Sequence, residues 1–326
     1  MKPNIALVTG GYSGEAVISY KTATTILQHV DISKYNIYKI DITQHGWYYE
    51  ASGHKQPVDK NDFSIQISDK KIVFDAVLIG IHGTPGEDGK LQGYFDMLGI
   101  PYTSCNAASS ALTFNKRYTV AVAAFAGIQV AKSVHLFKKH PLTAQQVLQQ
   151  VQLPVFVKPN NGGSSIGMSK VIQANELQTA IDKAFKEDNQ VLVEEYISGR
   201  EFTVGVFKAN GVIKVLPITE IIPKNDFFDY EAKYTAGMAN EVTPAQIDTS
   251  TTSIIHSAAQ KVYEVFNCSG IVRIDFIYSA QTQEPFLLEI NTVPGQSEAS
   301  IVPQQVKAMG WTLTDFYSAL IEEAIR

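Results

Sequence analysis

The chain of 326 residues is poor in cysteine: Cys105 and Cys268 stand alone, without metal-like spacing. Two thiols cannot build a disulfide framework, and their scarcity fits a reducing compartment. A Lys/Arg block is missing, and 32 acidic residues against 27 basic ones give a formal charge of −5, so there is no electrostatic footprint for nucleic acid. Long apolar runs are missing too. The most apolar stretch, YTVAVAAFAGIQVA, spans 14 residues with polar interruptions, whereas a membrane-spanning helix needs about 20. MKPNIALVTGG has only a short apolar run before its glycine pair, too little for a signal-peptide core. Internal repeats and low-complexity tracts are absent. These gaps point to a soluble cytoplasmic protein with no membrane and no nucleic-acid partner. With 45% hydrophobic content, the length allows two or three domains.

What the chain does have centres on residues 270–295, GIVRIDFIYSAQTQEPFLLEINTVPG. RIDFIY and FLLEIN are short, branched and aromatic, and the polar, Pro-containing SAQTQEP separates them as the turn of a hairpin. With the turn centred near Thr282, antiparallel pairing sets Ile277 opposite Leu287, Asp275 opposite Glu289 and Arg273 opposite Asn291. A side-chain period of two puts these residues on one face and sends Val272, Ile274, Phe276, Leu288 and Ile290 into a core. Directly opposed Cβ atoms lie roughly 4.5 to 5.5 Å apart, a spacing at which like charges destabilise the pair. Two answers are open. Arg273 is the counter-charge on a solvated face, or the carboxylates and the Asn carbonyl form a hard oxygen set for Mg²⁺ shared with phosphate.

Upstream, NIALVTGG and YSGEAVISYKTATTILQHV read as buried strand, Gly turn and helix, with Ser13 as cap and Glu15 in the first turn. GGYSG lacks the G-x-G-x-x-G spacing of dinucleotide binders. YNIYKIDI, WYYEA, SIQI and KIVFDAVLIGIHG supply further strands, the last apolar enough for a central one. It ends in HGTPGEDGK, where His82, Glu87 and Asp88 are either site residues or turn chemistry. NAASSALTFNKRYTVAVAAFAGI reads as one helix with Lys116 near its start, and a composition shift at 103–106 marks a domain boundary.

In VFVKPNNGGSSIGMSKV an apolar strand delivers Lys158 into a Gly/Ser turn suited to phosphate oxygens. It is not a P-loop, because the Lys precedes the glycines and no helix follows. VLVEEYISGREFTVGVF gives two strands around the turn ISG. On pattern alone, Glu194, Glu195 and Glu201 there read as edge-protecting acids. Residues 219–246 show no sustained periodicity, and Phe227, Phe228, Tyr230 and Tyr234 argue for a docked lid. An amphipathic helix then leads into the hairpin, and a final helix pair closes the chain.

Taken in order, GGYSGEAVIS, HGTPGEDGKLQG, the Lys116 helix, VKPNNGGSSIGMSKV, VEEYISGREFTV, FFDYEAKY, GIVRIDF, LLEINTVPG and ASIVP resemble the ATP-grasp enzymes, and within them the D-alanine–D-alanine ligase family. The resemblance spans essentially the whole chain. It implies an α/β, three-domain ATP-grasp fold: an N-terminal parallel-sheet domain (1–104) and two α+β domains (105–192 and 193–326) that clasp ATP. It implies ATP-dependent synthesis of D-alanyl-D-alanine for peptidoglycan through a D-alanyl phosphate, by a homodimer. A sister ligase using D-lactate or D-serine as second substrate is the alternative.

By motif position, Lys116, Lys158 and Ser165 would hold phosphates, Glu194 with the backbone of Glu195 and Ile197 would face adenine, and Glu201 the ribose. Asp275, Glu289 and Asn291 would bind two Mg²⁺, or Mn²⁺ in their place. Glu15 would hold the first ammonium together with Ser164 and Tyr234, Lys233 the transferred phosphoryl group, and Arg273 the oxyanion. Ser300 and the backbone of Ile301 would take the second carboxylate, beside His82 and Gly295. Gln296, Ser297 and Ile301 depart from the family's usual residues.

Overall fold

The computed structural model describes residues 2–51, 53–163, 166–223 and 239–326. The chain opens with β1 (Asn4–Gly10), α1 (Ala16–His29), β2 (Asn36–Thr43), β3 (Gly46–Ala51), β4 (His54–Asp59), β5 (Ser64–Ile67), β6 (Lys70–Ile72), β7 (Ala76–Ile79) and α2 (Lys90–Leu98). The sheet order is β6-β5-β4-β3-β2-β1-β7. Only β2-β1-β7 pair in parallel, and the rest is an antiparallel meander, so the expected parallel sheet is a mixed one. The run KIVFDAVLI divides into β6 and β7, and β7 ends the sheet order instead of lying centrally. All four of its residues are nevertheless buried. An apolar run reports burial on both faces, not a place in the order. The outer edge of β7 is covered where the Val77 amide donates to Pro101 (2.8 Å) and the Thr103 amide to Val77 (3.0 Å).

The expected single helix around Lys116 is two, α3 (Ala107–Phe114) and α4 (Lys116–Phe125). Asn115 between them has extended backbone, and its side chain accepts the Tyr118 amide as an N-cap. The break places Lys116 at the first residue of α4. A second sheet, order β10-β9-β11-β8, is antiparallel throughout. It comprises β8 (Ser133–Phe137), β9 (Val155–Pro159), β10 (Ser169–Val171) and β11 (Gln190–Glu195), with α5 (Ala144–Leu148) and α6 (Leu177–Glu187) packed against it. The boundary expected at residue 192 falls inside β11, which pairs along its whole length with β8 and β9.

The third sheet holds β12 (Gly199–Ala209), β13 (Val212–Val215), β14 (Thr219–Pro223), β15 (Ala239–Val242), β16 (Val272–Ser279) and β17 (Pro285–Asn291), in the order β15-β14-β12-β16-β17 with β13 on β12. The ends of the supposedly aperiodic 219–246 stretch are thus paired strands. α7 (Thr249–Val265) lies on this sheet, and Cys105, Ala123 and Ile128 share its core, so the apolar side of the segment 105–128 packs here. α8 (Ile301–Ala308) and α9 (Leu313–Ile325) return to the first sheet. Phe316 and Tyr317 bury against Leu7 and Phe207, each such ring contributing about 1.5–3 kcal/mol.

Gly270 sits just before β16 with φ +63°, and a Cβ there would lie 2.0 Å from the Thr103 carbonyl oxygen. A left-handed backbone and a backbone clash combine, so Gly270→Ala is expected to cost about 2 kcal/mol or more, read as a lower midpoint in urea unfolding.

Candidate active site

The site lies where the three sheets converge. β11 and β12 belong to different sheets, so residues 196–198 form the connection between them, and two adjoining cavities open beside it. The larger, about 360 Å³, is lined by Phe156, Lys158, Met168, Glu194, Glu195, Tyr196, Ile197 and Ile222. The smaller, about 260 Å³, is lined by Glu15, His82, Glu87, Glu241, Arg273, Asn291, Gly295, Ser300 and Ile301. Lys116, Gly162, Gly163, Glu201, Ile221, Asp275, Leu288 and Glu289 border both. Every expected site residue within the described residues therefore reaches one cavity or the other. Ser164, Ser165, Lys233, Tyr234 and the lid aromatics lie outside the described residues.

In the larger cavity Lys158 and Glu194 form a salt bridge. Leu192 is the β11 partner of Lys158, which makes Glu194 its diagonal neighbour on the same face. Glu194 is 8% exposed, β11 is flanked on both sides, and β12 is central, so the edge-protection reading of these acids fails. The Glu195 carboxylate accepts the Gln152 amide (3.0 Å), and its own amide donates to the Lys132 carbonyl (2.9 Å). Lys116 donates from Nζ to the Gly162 carbonyl (2.7 Å), and the Arg117 amide donates to Asn160 Oδ1 (2.8 Å). α4 is thereby tied to the loop that follows β9.

Glu15 is the N-cap of α1 rather than a first-turn residue, and Ser13 Oγ accepts its amide (3.3 Å). Its carboxylate lies close against Gly83 and Gly163: Cβ atoms there would sit 2.5 and 3.0 Å from Oε2 and Oε1. Gly83 also has φ +66°, so both backbone and space require a glycine. The open choice at HGTPGEDG resolves differently for each residue. Asp88 accepts the Lys90 amide (3.3 Å) and pairs with its ammonium, which is turn chemistry. Glu87 accepts the amides of Gly83 (2.6 Å) and Val293 (3.2 Å), joining the first sheet's loop to the segment after β17. Burial, and then the Glu15 charge, push its carboxyl up to about 8.

Burial pushes the His82 imidazole down to about 4, so the ring is neutral at pH 7. A backbone bond to Val293 occupies one side, and Thr22 Oγ1 lies 2.9 Å from Nε2 while accepting the Gln296 amide (3.3 Å). These partners assign the tautomer with Nδ1 protonated and Thr22 donating to Nε2. The ring acts as a clasp that holds residues 293–296 against α1.

At the hairpin, Asp275 does oppose Glu289 and Arg273 does oppose Asn291. Beyond Asp275 the register shifts by a β-bulge, so Ile277 faces Phe286, not Leu287. The two leucines exchange roles: Leu287 enters the core and Leu288 lines both cavities. Two carboxylates about 5 Å apart at an effective dielectric near 20 repel by about 3 kcal/mol. Arg273 answers this charge directly, with two 2.9 Å bonds to Asp275 and a 3.9 Å approach to Glu289. Burial works against its charge, but Asp275, Glu289 and Glu87 outweigh that and hold its pKa above the ordinary value. Asp275 also accepts from Thr203 and from Asn291 Nδ2 (3.2 Å).

Both answers left open by the sequence can hold together. Among the described residues no three His, Cys, Asp or Glu side chains converge on one metal point. Two carboxylates and an amide are an incomplete oxygen set of the kind that suits Mg²⁺ completed by phosphate and water, so the residues fit that ion. Ser300 is the N-cap of α8 without a side-chain cap bond, and its Oγ lies 2.7 Å from Ser297 Oγ. Ser300 and Ile301, at the start of α8, line the smaller cavity.

Sequence reasoning missed Thr203 and Glu241 as cavity residues. Thr203 lies within an apolar strand and Glu241 within the stretch read as irregular. Their signal is the sheet register, which places both on the Asp275 face. Among the described residues no helix is long and apolar enough to cross a membrane.

The family description "D-ala D-ala ligase N-terminus" matches residues 4–105, and "D-ala D-ala ligase C-terminus" matches residues 114–322. D-alanine–D-alanine ligases of Parabacteroides distasonis and Flavobacterium johnsoniae are 45% and 46% identical, over 100% and 98% of this chain and 98% of each relative. Among solved structures, the VanG D-Ala:D-Ser ligase of Enterococcus faecalis superposes with TM-score 0.89 at 32% identity, covering 99% of each chain. A D-alanine–D-alanine ligase of Bacillus anthracis complexed with ATP gives 0.79 at 28%, covering 99% of this chain and 98% of that one. With both halves matched in order and the cavities holding the residues that those halves bring together, the chain belongs to the D-alanine–D-alanine ligase family.

Proposed function

We propose that the chain joins two D-alanine molecules into D-alanyl-D-alanine for peptidoglycan, with ATP as the energy source. The γ-phosphate passes to the carboxylate of the first D-alanine, forming D-alanyl phosphate. The second D-alanine gives up one ammonium proton to water, its free amine attacks the carbonyl of D-alanyl phosphate, and the adduct expels inorganic phosphate as the nitrogen releases a second proton. The observation that carries this reading is the pair of cavities sharing Lys116, Asp275 and Glu289, one with an apolar wall and one ringed by charged and hydroxyl side chains. Transfer between two bound partners needs such an overlap, and it needs positioning and charge neutralisation more than covalent help.

The nucleotide occupies the larger cavity. Phe156, Tyr196 and Leu288 pack the base, Glu194 and the backbone of Glu195 and Ile197 face its edge, Glu201 meets the ribose, and Lys116, Lys158 and Ser165 meet phosphates. Asp275, Glu289 and Asn291 would hold Mg²⁺, or Mn²⁺, which supplies the positive charge that lets phosphate oxygens approach two acids. Glu15 takes the first ammonium, Arg273 turns its guanidinium on the developing oxyanion, and the α8 amides from Ile301, with Ser300, take the second carboxylate. His82 keeps Gly295 and its neighbours in the cavity wall. Ser164, Lys233 and Tyr234 complete the set.

The test is product analysis with ATP, D-alanine and equimolar D-lactate and D-serine. Dipeptide of D-alanine, with one ADP and one phosphate per bond, is expected to dominate. A dominant ester or D-alanyl-D-serine product would overturn the choice of second substrate.

A further inference from the structure

The smaller cavity must receive two zwitterions, and Glu15 can meet only one of their ammonium groups. Six carboxylates line it: Glu15, Glu87, Glu201, Glu241, Asp275 and Glu289. Asp275 is engaged by Arg273, Thr203 and Asn291, and Glu87 by two backbone amides. Glu201 and Glu289 border the nucleotide cavity as well. Glu15 lies on the α1 side, against Gly83 and Gly163.

Glu241 is placed differently. It pairs with Ile221, which pairs in turn with Glu201, so β15 carries it on the same face of the sheet as the reacting groups. Gln304 Nε2 donates both to Glu241 Oε2 (3.1 Å) and to the Ala299 carbonyl (3.0 Å). One amide nitrogen therefore fixes the carboxylate two hydrogen bonds from the peptide that opens α8, beside Ser300. That separation is on the scale of a single α-amino acid. Glu241 is exposed to the open cavity and bonded to one neutral amide, so its carboxylate still has capacity for a cation.

We propose that Glu241 receives the ammonium of the second D-alanine while the start of α8 holds its carboxylate, and that this charge is what selects an amino acid over a hydroxy acid as acceptor. The inference rests on the ligase reading above. A carboxylate attracts an ammonium strongly and a neutral hydroxyl weakly, so the discrimination sits in the second subsite alone.

Glu241→Gln keeps an acceptor for Gln304 and removes only the charge. Its KM for D-alanine at the second subsite should rise about 10- to 100-fold, with the KM for ATP and for the first subsite changed by less than about twofold. In competition between D-alanine and D-lactate, the ratio of ester to dipeptide should rise. Gln304→Ala keeps the charge and loses the tether. It should alter the second-subsite KM by less than about fivefold and leave the ester ratio unchanged. Unchanged second-subsite KM in Glu241→Gln, or equal loss in both variants, overturns the proposal, the latter by making Glu241 a support for α8. A wild-type chain that forms no D-alanyl-D-alanine would instead overturn the ligase reading beneath it.

Discussion

Glu289→Gln should lower kcat by about a thousandfold or more and leave the unfolding midpoint unchanged or slightly raised. The two effects separate because Glu289 and Asp275 are held differently. The Glu289 side chain is 29% exposed and its approach to Arg273 is a long 3.9 Å, whereas Asp275 is 10% exposed and bound by three partners. Removing the Glu289 charge leaves Arg273 its two bonds to Asp275 and relieves repulsion across the strand pair. Gln is nearly isosteric, so the β16/β17 register survives. What is lost is the second acidic oxygen set beside Asn291. Steady-state turnover titrated with Mg²⁺, together with a thermal melt, checks both halves. Wild-type turnover in this variant would remove the metal assignment.

Arg273→Ala should damage catalysis and stability together, by about 10²–10³ in kcat and about 3–5 kcal/mol of folding free energy. Arg273 makes the two-pronged contact with Asp275 and also approaches Glu289, so truncation leaves a buried carboxylate facing another carboxylate. The double variant Arg273→Ala with Asp275→Asn should recover part of the lost stability, because the orphaned charge goes with its partner. It should recover none of the activity. Denaturant unfolding of the single and double variants measures this. If Arg273→Ala unfolds like wild type, the guanidinium is not what holds the acids together.

Much of this site was legible in the residues. The opposition of Asp275 and Glu289 follows from a period of two and a short turn, and the sheet bears it out. The bulge was not legible, because the extra residue falls in the pair Leu287–Leu288. Identical side chains give no signal as to which one turns inward. Glu194 was misread because an acid on a strand looks the same whether it faces water or a lysine on a neighbouring strand. Lys158 reaches it only once β9 pairs with β11. The break at Asn115 was hidden because Asn is tolerated both within a helix and at its cap. Only the contact of Lys116 and Arg117 with Asn160 shows which it is here.

The order of motifs, the glycine positions and the facing acids belong to the amino-acid sequence alone, since each arises from local chemistry: backbone freedom, side-chain period and like-charge repulsion. The assembly of three sheets, the tether from Gln304 to Glu241, the clasp of His82 on Thr22 and the exchange of Leu287 with Leu288 come from the tertiary structure. Each of these depends on contacts between residues far apart in the chain, and no local pattern encodes such a distance.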